Sequence, residues 1–133
     1  MDSLMPNQRA AARLVAEIGP LARAITDTMY AESPDLMTKY GVVGRERCLE
    51  DMHFNLQHLA PAVELGKPSM FAAYVIWLAE MLASRNVGTD DVVRSLELTQ
   101  KEIEARFPAD EAGTISEYFR VGLNAIGHGA EAV

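Results

Sequence analysis

Residues 68–86 read PSMFAAYVIWLAEMLASRN, and this stretch decides the fold. Pro68 stands where helices begin, and Asn86 and Gly88 stand where they end. Between them Met70, Phe71, Tyr74, Val75, Leu78, Met81 and Leu82 recur at helical spacing, and the only charge before Arg85 is Glu80. A helix apolar almost all round is covered by neighbours or by lipid. With fewer than about 20 residues and an interior glutamate, this one predicts the central helix of a soluble bundle. The other helices are then amphipathic wrappers, and any ligand pocket is expected where they meet Tyr74 and Trp77.

Upstream, a long helix is predicted from about Gly44 to Leu65, with Leu49, Met52, Leu56, Leu59 and Val63 in a heptad-like stripe and a bend at Pro61. Gly66 ends it, and Lys67 and Pro68 turn the chain so tightly that the two helices should be antiparallel neighbours. Nearer the start, Asn7 or Ser3 is expected to cap a helix reaching Ile18, where Gly19 and Pro20 predict a break or sharp kink before Leu21, Ile25 and Met29 continue the apolar face to Glu32. Ser33 then caps a short segment that Gly41 closes.

Downstream, Thr89 followed by Asp90 and Asp91 predicts a capped helix with a buried stripe of Val92, Leu96, Ile103 and Phe107, stopped by Pro108. A last helix from about Asp110 carries Ile115, Phe119, Leu123 and Ile126, and Gly122 predicts close approach of a neighbouring backbone. No stretch alternates apolar and polar residues over strand length. The fold class is all-α: a single domain of about six helices over residues 1–127, globin-like or an irregular bundle, with a flexible tail at 128–133.

Composition narrows the function. A net charge of -7, with 12 Lys and Arg scattered along 133 residues, excludes phosphate-backbone binding. Cys48 is the chain's single cysteine, which points to a reducing compartment. The absence of a leader-like or membrane-spanning run predicts a cytoplasmic protein that needs no membrane.

Catalytic and metal motifs are sparse. His53 and His58 lie five apart in one helix, roughly 140° around its axis, and do not chelate one metal. Either is a haem ligand only if buried, which their place at the margin of the stripe argues against. Arg45 and Arg47 flank Cys48 and would lower its pKa, but a free cysteine beside Leu49 reads first as inert packing. Glu50 and Asp51, and Asp90 and Asp91, read as helix-start carboxylates rather than an acid–base pair. There is no glycine-rich phosphate loop, nucleophile elbow or CxxC. The best ligand surface is aromatic: Phe71, Tyr74 and Trp77 on the central helix, with Asn55 or His58 as polar partners from the helix before it.

The run from Arg45 to about Glu104 resembles a helical domain found upstream of cobalamin-binding domains in bacterial sensory proteins. Cys48, Leu49, Glu50, Asp51, Phe54, Leu56, Leu59, Phe71, Tyr74, Trp77, Leu82, Ser84 and Arg85 carry the likeness, with Asn55 where that pattern has a histidine. The second half is also similar to globin-like input domains of stress-signalling co-antagonists. The resemblance implies a non-enzymatic sensory module that packs against an output or cofactor-binding domain, with cobalamin as the cofactor and self-association into a homo-oligomer. Two alternatives stand beside it: a stand-alone globin-like protein holding a tetrapyrrole or lipid between the helices of Asn55 and Trp77, and a dimerisation module.

Overall fold

The computed structural model describes residues 4–127. Ser3, His128 and the tail at 128–133 lie outside the described residues. Five α-helices follow one another: α1 (Pro6–Glu32), α2 (Asp35–Leu65), α3 (Pro68–Ala83), α4 (Thr89–Arg106) and α5 (Ala109–Ala125). α1 lies chiefly along α2, α3 packs on α5, and α4 crosses against α1 and α5. No described helix is long and apolar enough to cross a membrane.

The all-α expectation holds with five helices where about six were expected, and the difference comes from two glycine positions. α1 runs unbroken through Pro20. Gly19, having no Cβ, relieves the clash that a proline ring imposes on its predecessor, and Leu14, Leu21, Ala22 and Ile25 form one buried face across the site. Tertiary packing outweighs the lost hydrogen bond. At Gly41 the reverse happens: its φ of 72° and ψ of -171° break the helical path inside α2, in a region open almost only to glycine. The short segment at 35–40 is thus set off from the body of α2, much as the sequence predicts. α2 also continues through Pro61 to Gly66, whose φ of 68° gives it a left-handed cap.

The caps differ from expectation. Asn7 does not cap α1. Its Nδ2 donates to the carbonyls of Val63 (3.3 Å) and Glu64 (3.1 Å) at the far end of α2, while Gln8 Oε1 accepts from the Met5 amide at 2.9 Å. Gly88 rather than Thr89 holds the N-cap of α4, and Asp90 and Asp91 do sit in its first turn.

α3 is the central apolar helix on one side only. Phe71, Tyr74, Val75, Leu78 and Leu82 are buried, and Phe71 meets Phe119 of α5 edge-on at 5.5 Å between ring centroids. Gly122 permits this contact, since a Cβ there would stand 3.1 Å from Val75 Cγ2 and 3.4 Å from Phe71 Cδ2. The opposite side carries Ile76 and Trp77, and Trp77 is 53% exposed. The expectation that wrapping helices cover this helix almost all round is met only in part, because α5 covers α3 from the side of Phe71 and leaves Ile76 and Trp77 exposed.

Candidate functional site

The five aromatic-pocket residues come together, but as a packed seam. Tyr74 Oη donates to Asn55 Oδ1 at 2.6 Å, both residues being buried, and burial pushes the Tyr74 phenol well above its ordinary range, with the Asp51 carboxylate adding to the shift. His58 stacks on Tyr74 with centroids 4.2 Å apart, and its Nδ1 is held 2.9 Å from the Phe54 carbonyl oxygen. Trp77 follows at 5.8 Å from Tyr74. Phe71 points into the core. None of the five lines the cavity that opens where α1, α2 and α4 meet.

That cavity, of about 210 Å3, lies one to two turns back along α2 and takes its walls from both sides of the break at Gly41, from the end of α1 and from the stretch where α3 gives way to α4. Met29, Leu36, Met52, Leu82 and Val92 give it apolar walls, and Cys48, Asp51, Tyr30, Tyr40 and Ser95 give it polar groups. Arg47 and Arg85 stand at its exposed rim, and neither guanidinium makes a hydrogen bond or ion pair among the described residues.

Cys48 and Asp51 are three residues apart on α2, so one helix face presents both to the cavity. Burial is the main influence on each. It pushes the Cys48 thiol up, against an opposing contribution from the Thr26 hydroxyl, and raises the Asp51 carboxyl against the pull of Arg85. The flanking arginines therefore do not activate the cysteine: Arg45 is paired with Asp27 and lies over the Tyr30 ring, 5.1 Å from its centroid. Cys48 packs against the core, as expected, and also stands on the cavity wall.

Tyr40 adds one unbalanced group. Its hydroxyl oxygen is buried and is the only such side-chain atom among the described residues without a hydrogen-bond partner. No histidine lines the cavity, and His58 is exposed with its ring engaged on Tyr74.

A family model described as "Phycobilisome protein" matches residues 3–126. The chain belongs to the phycobilisome protein family. No curated protein matches it. Membership overturns the cobalamin-associated sensory reading, and with it cobalamin as cofactor and an output domain as partner. Leu56, Leu59, Phe71, Tyr74 and Leu82, which carried much of that likeness, are buried packing residues, and helical cores of many families share such spacing. Of the residues of that run, Cys48, Asp51 and Arg85 line one cavity.

Proposed function

We propose that this chain is a stand-alone, globin-like carrier of a bilin, an open-chain tetrapyrrole, held in the cavity between α1, α2 and α4, and that it serves light harvesting rather than catalysis. Phycobilisome proteins have a globin-like fold and bind bilins covalently. The observation that carries the reading is that the chain's single cysteine and a half-buried carboxylate one turn later line the same apolar cavity.

The residues fit such a ligand group by group. Met29, Leu36, Met52 and Leu82 suit the flat faces of pyrrole rings. Asp51 accepts from pyrrole N–H groups, and a protonated tetrapyrrole offsets the desolvation that otherwise disfavours the charged carboxylate. Arg47 and Arg85, which make no ion pair among the described residues and act on Asp51 only at a distance, suit propionate carboxylates. Cys48 supplies the point of covalent attachment. Burial pushes its pKa up, so that it faces the cavity as the thiol. When bound, the conjugated tetrapyrrole supplies visible absorption, and the protein's part is to hold it and exclude water from one side.

Phycobilisome proteins assemble into oligomers. Phe54 and Trp77, 55% and 53% exposed at the two ends of the aromatic seam, offer apolar surface for such association.

Incubation with biliverdin tests the reading. The wild-type chain should take up the pigment with a shifted absorption band, and colour should stay with the protein through denaturing electrophoresis. Cys48→Ala should lose the colour on denaturation. A wild-type chain that takes up no bilin would overturn the proposal.

A further inference from the structure

Tyr40 stands at the junction of the two parts of α2, next to Gly41, and lines the cavity. A hydroxyl buried without a partner is rare in a folded protein, because desolvation is not compensated. The Lys39 ammonium lies 5.1 Å from the Tyr40 ring centroid, and its contact with the phenol oxygen is the main cause of the raised Lys39 pKa; an ammonium only donates, so the hydroxyl proton is still left without an acceptor. Gly44 shows that the placement is built in. A Cβ at that position would collide with Tyr40 Cβ and stand 3.9 Å from Tyr30 Oη, so the bare glycine is the seat on which Tyr40 rests.

Resting on the bilin reading, we infer that the Tyr40 hydroxyl donates a hydrogen bond to a neutral carbonyl oxygen of the ligand, a terminal lactam rather than a propionate. The anionic groups are matched by the charged rim at Arg47 and Arg85, whereas Tyr40 shares its wall with Leu36 and Met29. A neutral donor beside apolar side chains suits a neutral acceptor. Tyr40 is then a binding and positioning residue that fixes one end of the pigment, and Gly44 holds it in place.

Biliverdin titrations of wild type and Tyr40→Phe, followed by absorption, test this together with thermal melts of the two unliganded proteins. Without ligand, Tyr40→Phe should melt at the same temperature as wild type or higher, since the hydroxyl removed has no acceptor for its proton and the Lys39 ammonium beside it is exposed to water. With ligand, its affinity should fall about five- to tenfold, the effect of one neutral hydrogen bond, and the absorption band should move. Equal affinity and an unmoved band in a variant that binds bilin would overturn the role of Tyr40 and leave the bilin reading standing. A lower melting point for the unliganded variant would overturn it too, by revealing a protein partner for the hydroxyl. Failure of wild type to bind biliverdin would overturn both.

Discussion

Two regions of α2, about two turns apart, contrast sharply. Around Asn55 the helix is pressed against α3, and each buried polar atom has its partner: Tyr74 gives its proton to Asn55, and His58 covers the Tyr74 ring. Around Cys48 the helix faces a hollow, and polar groups are left over: a thiol and a carboxylate with raised pKa values, an unpartnered phenol and two unpaired guanidinium groups. The same kinds of residue make structure in one place and a site in the other. What separates them is whether a neighbouring helix arrives to satisfy them.

The largest expected effect lies in the packed region. Phe71→Ala removes a ring that is 1% exposed and should cost about 3 to 5 kcal/mol in chemical denaturation. A loss below about 1 kcal/mol would mean that the α3–α5 contact is looser than its geometry. Asn55→Ala strands the Tyr74 hydroxyl and should cost about 1 to 3 kcal/mol. Tyr74→Phe, which leaves only the Asn55 amide oxygen to satisfy, should cost less than Asn55→Ala, and the reverse order would break the pairing.

Trp77→Ala sharpens the boundary of the seam. With the indole half in solvent, its loss should change monomer stability by about 1 kcal/mol or less, while self-association measured by sedimentation should weaken. The smallest effect belongs to the hollow. Burial raises the folded-state pKa of Asp51, so the protonated form favours folding: this contribution is complete below the ordinary value of 3.8 and is lost as pH rises through the raised folded value. Asp51→Asn should therefore melt slightly higher than wild type at neutral pH, with the gain shrinking as pH falls toward that ordinary value, while bilin uptake falls. A variant less stable than wild type at neutral pH would show that the carboxylate has a structural partner.

The helical class was legible because periodicity and punctuation agree along most of the chain: Pro68, Gly66 and Pro108 stand at element ends, and Gly122 marks the close approach of α5 to α3. Pro20 misled, since propensity alone takes no account of a buried face continuing across it. The site was harder to read. Aromatic residues at helical spacing advertise both a core and a pocket, and periodicity does not tell which face a neighbour covers. The signals that marked the hollow were present: Gly41 as a break, Gly44 four residues after Tyr40, and Cys48 with Asp51 on one face. Their meaning depends on how far α3 and α4 stand from α2, a long-range fact that local spacing does not encode.

Asn7 holds the final carbonyls of α2 from 56 and 57 positions away. The turn between α2 and α3 therefore owes part of its closure to the chain's own beginning. The tight connection at Gly66 and Lys67 is held by a contact of long sequence separation as well as by its own neighbours, so a substitution at Asn7 should loosen a hairpin far from it along the chain.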